Sequence, residues 1–171
     1  LFDCPARWAA IHLDGLRTPS TGKATLGRAV HASTAVFDQS TLDGAGITID
    51  EAASAAVDAI THPEDDVVWG EDNQADAEKI AISLHTKYCL QITPKQQYTA
   101  VEVVCEKLEI ADLGIALSGS TDRIRKVSDG QAICDLKTGK AVVGSDGTVK
   151  TAGHAFQVGV YELLAQHSAG V

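Results

Sequence analysis

The sequence predicts a mixed α/β (α+β) fold with a helical N-terminal part, residues 1–95, followed by a three-stranded meander flanked by helices, residues 96–171. Apolar residues recur at helical spacing through the first half, whereas runs rich in β-branched residues begin at Tyr98. The 171 residues and the hydrophobic fraction of 44% suffice to bury a core. We therefore expect a single domain that covers residues 1–171.

Four helices are expected in the first half of the chain. The first has Asp3 as its cap and Pro5 in its first turn, and the second carries His31 near its middle. An acidic, Pro-containing loop separates the third helix from the fourth. The predicted helices cover residues 3–16, 24–38, 49–60 and 73–91.

Three strands and a last helix are expected in the second half. The strand segments are 98–110, 115–127 and 131–139, and the last of them is followed by a glycine-rich excursion. The closing helix, 152–167, carries Phe156, Val160 and either Leu163 or Leu164 at core spacing.

The formal net charge of -9 is unevenly placed along the chain. Eleven carboxylates and no Lys or Arg lie between Asp43 and Glu78, which leaves twelve acidic against fourteen basic residues elsewhere. We interpret the acidic block as a solvated helical insertion. The remainder can still face a phosphate backbone, so the net charge does not exclude a nucleic-acid partner.

Cysteine usage and hydropathy indicate a soluble, intracellular protein. The four cysteines are widely spaced without a CxxC pair, which is typical of thiols in a reducing compartment rather than of a zinc site or a disulfide scaffold. The sequence contains neither an apolar run of membrane-spanning length nor a signal-peptide layout at its start. Because it contains no Met, we expect it to begin inside a longer reading frame.

The predicted hairpin between the last two strands gathers charged residues. A type I′ turn at Asp129-Gly130 would place Asp122 directly opposite Lys137, with Asp135 on the same face of the strand as Lys137. Two carboxylates and an ammonium suit metal-dependent phosphodiester hydrolysis, because carboxylates bind hard cations and the ammonium offsets negative charge. A purely structural cross-strand ion pair is the alternative.

Five short motifs occur in order along almost the whole chain: CPARW (4–8), GRAVH (27–31), SGSTDRI (118–124), CDLKTGK (134–140) and QVGVY (157–161). Taken together, they resemble the motifs of RecB-like exonucleases in the PD-(D/E)XK nuclease superfamily, relatives of AddB and of CRISPR adaptation nucleases. The resemblance implies a restriction-endonuclease-like core with one or two Mg²⁺ or Mn²⁺ ions.

The resemblance also implies a role for individual residues. Glu102 is either a ligand through water or an exposed strand glutamate, and Gly27 lets its helix approach the sheet closely. The implied metal ligands are His31, Asp122, Asp135 and the Leu136 carbonyl.

The implied catalytic group consists of Asp122, Asp135 and Lys137, with Gln157 and Tyr161 beside them. Gln157 and Tyr161 lie four residues apart, hence on one helix face, and are expected to hydrogen-bond the active site and the DNA backbone. Some relatives hold an iron–sulfur cluster through one early and three late cysteines, but no cysteine follows Tyr161, so the visible chain does not support a cluster.

The function implied is DNA cleavage in the cytoplasm of a bacterium or by a phage-encoded enzyme, with a helicase or recombination protein as a candidate partner. An exonuclease of DNA repair, recombination or phage DNA processing is the leading hypothesis. A structure-specific endonuclease on the same core and a catalytically silent nucleic-acid-binding module remain the alternatives. The chain itself contains no GxxxxGK[ST] nucleotide-binding motif.

Overall fold

The N-terminal half is helical, as the sequence predicts. The computed structural model describes residues 4–139, 142–151 and 154–169. The predicted cap Asp3 lies outside these residues, and the first helix is shorter than expected, ending at His12 rather than near residue 16. The four helices are α1 (Pro5–His12), α2 (Gly22–Asp43), α3 (Ile49–Thr61) and α4 (Gln74–Gln91).

Side-chain caps define the ends of these helices. Thr48 and Glu51 form a reciprocal capping box at the start of α3, and Asn73 accepts hydrogen bonds from two amides at the start of α4. Helix α2 continues past the predicted end at residue 38 until Gly44, which adopts the left-handed conformation with φ of 66°.

Small residues make the core between α2, α3 and α4. Because alanine side chains are short, the helix axes can approach closely, and the larger Val30 and Ile60 fill the remaining space. Leu136, from the second half of the chain, packs against the same cluster. The buried members are Ala29, Val30, Ala56, Ile60, Ala77 and Ala81.

Within the described residues, the strands form three sheets. The first two strands pair in parallel, and the hairpin β4–β5 stands apart from the main antiparallel sheet, whose order is β3-β6-β7. Helix α2 packs against β3, and the last helix, α5 (Ala155–Ala169), contacts β6 and β7. The strands are β1 (Ser20–Thr21), β2 (Val67–Val68), β3 (Tyr98–Val104), β4 (Leu108–Ile110), β5 (Ile115–Leu117), β6 (Ser120–Val127) and β7 (Gly130–Cys134).

The expected three-stranded meander is therefore present, but two of its predicted strands are interrupted. The pairing extends to Cys105, whose amide donates to the Gly119 carbonyl at 3.0 Å, and the next amide, that of Glu106, instead donates to Ser168 Oγ of α5 at 2.6 Å. The segment then returns as the small hairpin β4–β5 before β6 begins at Ser120.

The predicted register of the β6–β7 hairpin is wrong by two residues. Val127 pairs with Gly130, so Ser128 and Asp129 form the turn, and Asp122 does not lie opposite Lys137. The reason is conformational: a type I′ turn at Asp129-Gly130 needs a positive φ at both residues, whereas Gly130 (φ 142°) opens β7 and Asp129 has no positive φ. The last pair of the ladder joins Arg123 to Cys134, and one further pair in the same register would place Asp122 opposite Asp135.

Helix α5 buries only part of the face that the core spacing predicts. Leu164 is fully buried and Val160 half-buried, as expected, but Phe156 is 74% exposed, so the prediction is wrong for Phe156. The inward face follows Gln157, Tyr161 and Leu164, which lie one helical turn or two apart. Residues 152 and 153, the expected start of this helix, lie outside the described part of the chain, within which no helix is long and apolar enough to span a bilayer.

Candidate metal centre

His31 and Asp122 approach each other where α2 crosses the sheet. His31 Nδ1 lies 3.5 Å from Asp122 Oδ2, and both side chains are largely buried. The hydrogen bond to Asp122 raises the pKa of His31 above its usual value, although burial opposes this. Burial would raise the pKa of Asp122, but hydrogen bonds from His31 and from the Leu136 amide lower it overall. The geometry therefore favours an ionised carboxylate beside an imidazole.

The backbone of Leu136 completes this corner of the site. Its amide donates to Asp122 Oδ2 at 2.7 Å, and its backbone also contributes to the raised pKa of His31. A methyl group at Gly27 would lie only 3.3 Å from Thr138 Oγ1, so glycine allows α2 to lie close to the segment after β7. The close approach expected at Gly27 is therefore to Thr138, beyond the end of β7, rather than to the sheet itself.

Glu102 on β3 brings a second carboxylate to the same place. Single ligand atoms of His31, Glu102 and Asp122 all lie within 4.8 Å of one another, a spacing that one cation could bridge. Burial raises the pKa of Glu102, with the nearby Asp122 charge adding to the effect and Arg123 opposing it. Two oxygens and one imidazole nitrogen suit a divalent cation such as Mg²⁺ or Mn²⁺.

The backbone at Glu102 is strained. Its φ of 49° is in the left-handed region, and no other non-glycine residue in the described part of the chain has a positive φ. Such a conformation costs on the order of 1–3 kcal/mol and persists only where surrounding contacts fix it.

A second cluster adjoins the first through the end of β7. Lys137 Nζ forms a 2.7 Å ion pair with Asp135 Oδ2 and donates to Gln157 Oε1 at 3.3 Å. The Gln157 amide in turn donates to Tyr161 OH at 2.7 Å. The structure thus brings together Asp135, Lys137, Gln157 and Tyr161, while Asp135 lies outside the group formed by His31, Glu102 and Asp122.

A buried network behind the site was not anticipated from the sequence. Arg123 is 1% exposed, and its Nε pairs with Asp38 Oδ2 at 2.9 Å while its Nη1 reaches Glu102 Oε1 at 3.2 Å. Asp38 stands at the end of the predicted second helix, far from Arg123 in sequence. The sequence offered no local signal for this pair, because the strand around Arg123 reads STDRIRKV and contains a second arginine on the same face.

An open cleft of about 690 Å³ lies beside the second cluster. Asp135 and Lys137 form one end of it, and residues 142–151 and α5 form its walls. Lys150 and His154 also line it and offer hydrogen-bond donors near Lys137, while Asp135 and Glu162 contribute carboxylates to the same lining.

Fold and site together define a mixed α/β protein with a carboxylate–imidazole group suited to a divalent cation. The model of the PD-(D/E)XK nuclease superfamily matches residues 1–171, and the chain belongs to this superfamily. No curated protein and no solved structure matches the chain. The helices around an antiparallel sheet agree with a restriction-endonuclease-like core, and membership indicates a metal-dependent nuclease acting on nucleic acid.

Proposed function

We propose that the chain is a RecB-like deoxyribonuclease that uses Mg²⁺ or Mn²⁺, acting as an exonuclease in DNA repair, recombination or phage DNA processing. The observation that carries the proposal is the gathering of His31, Glu102 and Asp122 within 4.8 Å beside the Asp135–Lys137 ion pair. Imidazole and carboxylate ligands next to an ammonium are the groups that phosphodiester hydrolysis requires.

The residues present fit a divalent cation. His31, Asp122 and the Leu136 carbonyl would hold it, Glu102 would bind directly or through water, and Asp135 would supply a further carboxylate. When bound, the cation would lower the pKa of a bound water and polarise the phosphate. The imidazole and carboxylates are already oriented by hydrogen bonds to one another and to backbone, which reduces the ordering required on binding.

Lys137 is proposed as the catalytic lysine. Asp135 and Gln157 hold its ammonium from two sides, so its charge has a fixed position for orienting the attacking water or offsetting charge on the phosphate. Tyr161 accepts from Gln157 and thereby fixes the amide that contacts Lys137. Gln157 and Tyr161 would also hydrogen-bond the DNA backbone.

The cleft beside Lys137 supports DNA as the substrate. Lys150 and His154 can contact phosphate, and the apolar Val142 and Val149 can face sugar and base. The proposed setting is the bacterial cytoplasm, with a helicase or recombination protein as the partner that would deliver DNA.

The decisive experiment compares linear with covalently closed circular DNA in the presence of Mg²⁺ or Mn²⁺. We expect linear DNA to be degraded from its ends and circular DNA to survive, because an exonuclease needs an end. An Asp122→Asn variant, which keeps the shape of the side chain but loses its charge, is the matched control for contaminating nuclease.

Each other outcome contradicts part of the proposal. Cleavage of both substrates would make the chain an endonuclease, and binding of DNA without cleavage would make it a silent binding module. Cleavage that survives in Asp122→Asn would refute the proposed site.

A further inference from the structure

We infer that Arg123 is a positioning residue for the metal centre: anchored by Asp38, it holds the Glu102 carboxylate beside His31 and Asp122 before a cation binds. The inference rests on the proposed function, because it concerns the affinity of that same metal site. It assigns a role to a buried ion pair that touches neither DNA nor the reacting atoms.

The guanidinium of Arg123 has four hydrogen-bond partners, one of which is the carbonyl of the adjacent Asp122, 3.3 Å from Nη1. Its Nε pairs with Asp38 Oδ2 at 2.9 Å, and its Nη2 donates to Thr34 Oγ1 at 3.0 Å. Its Nη1 donates a hydrogen bond to Glu102 Oε1 at 3.2 Å. Because the guanidinium is planar and rigid, the first two contacts fix the direction of the third.

Asp38 is itself an immobile anchor. Its side chain is fully buried, and besides Arg123 it accepts from Tyr88 OH at 2.7 Å and from Thr93 Oγ1 at 2.8 Å. A buried carboxylate with three donors has no free rotation, so the position of Arg123 is set by α2 and by the end of α4.

Glu102 needs such a partner to remain in place. Its side chain is 49% exposed, and its backbone has the left-handed φ that a glutamate rarely adopts. Without Arg123, the strain and the repulsion from Asp122 would both favour an extended conformation that takes the carboxylate away from His31. Arg123 therefore preorganises the third member of the ligand group.

Manganese titration calorimetry on the Arg123→Lys variant tests the inference. Lysine keeps the charge but cannot contact Asp38, Thr34 and Glu102 at once, so we expect Mn²⁺ to bind about tenfold more weakly. Arg125→Lys is the matched control, since Arg125 lies on the same strand but bonds Gln96 and should leave the affinity unchanged.

A double-mutant cycle separates positioning from general destabilisation. If Arg123 acts through Glu102, then Arg123→Lys should cause no further loss of Mn²⁺ affinity in a Glu102→Ala background. Ala53→Gly, a substitution of a buried helical residue outside the cluster that Leu136 packs against, should lower the melting temperature without changing Mn²⁺ affinity. An equal loss with and without Glu102 would overturn the inference.

Should Arg123→Lys fail to fold, Thr34→Val provides the same test. It removes the contact with the guanidinium together with the hydrogen bonds from Thr34 Oγ1 to the Val30 and His31 carbonyls, so we expect a loss of about threefold in Mn²⁺ affinity that disappears in the Glu102→Ala background. Parental affinity in folded Arg123→Lys or Thr34→Val overturns only this inference, whereas a parent protein that binds no Mn²⁺ defeats the proposed function as well.

Discussion

Replacement of Lys137 by alanine should lower the rate of DNA hydrolysis by about two to three orders of magnitude while the protein remains folded. The rate effect follows from the proposed role, because a fixed charge that acts on the transition state is worth about 3–4 kcal/mol. Metal affinity should be preserved, since the ammonium is not a ligand and its removal frees the Asp135 carboxylate to which it is paired.

The structural cost of Lys137→Ala can be worked from its surroundings. The Lys137 side chain is 27% exposed, and an ion pair this close to solvent contributes at most about 1 kcal/mol. Its partner Asp135 is only 11% exposed and loses its cation, which adds about 1 kcal/mol more. We therefore expect a decrease of about 1–2 kcal/mol in the free energy of unfolding.

Melting temperature, Mn²⁺ affinity and turnover on linear DNA should be measured on one preparation of each variant. Lys126→Ala, which removes an exposed lysine from the same sheet, controls for the loss of a positive charge. Asp122→Ala should lose metal as well as rate, because it removes a ligand. A Lys137→Ala protein that cuts at the parental rate would refute the catalytic assignment.

Three further outcomes are expected. Excess EDTA should abolish cleavage and added Mg²⁺ or Mn²⁺ should restore it, so undiminished activity in chelator would rule out the metal site. Asp38→Ala should lower the free energy of unfolding by about 3–5 kcal/mol in denaturant titrations, because it strands the buried Arg123 charge; a loss under 1 kcal/mol would contradict this. Gly22→Ala should cost about 1–3 kcal/mol, since the new methyl would lie 2.7 Å from the Trp69 ring, whereas Gly159→Ala in α5 meets open space and should be neutral or stabilising. Equal melting temperatures for the two glycine variants would argue against the close packing at Gly22.

The helices were predictable in outline because their signals are local, as in the Thr48–Glu51 capping box, which lies within four residues of sequence. The end of α2 was placed too early, at residue 38, although Gly44 directly follows the last residue of the helix, Asp43. The hairpin register was not predictable from its turn alone, because an Asp-Gly pair allows two arrangements. Both residues can occupy the two central positions of the turn, or the glycine can be the first residue of the next strand. The observed register follows from Gly130, whose φ of 142° places it at the start of β7.

The sequence predicted which residues form the site better than it predicted the contacts between them. Motif order indicated His31 and Asp122, which the fold brings within 3.5 Å. The partner of Arg123 could not be found in this way, because Asp38 lies 85 residues earlier in the chain and no local pattern joins the two. Long-range pairing of buried charges depends on how helices dock on a sheet, which periodicity does not encode.

The Asp38 carboxylate has a consequence for how the molecule folds. Tyr88 and Thr93 reach it from the helical half, but its counter-charge, Arg123, comes only from the sheet. A fragment that ended before β3 would have to bury this carboxylate without a cation or expose the helix interface to water. We therefore expect residues 1–95 to be unstable alone, and the helices and the sheet to unfold together in a single cooperative transition.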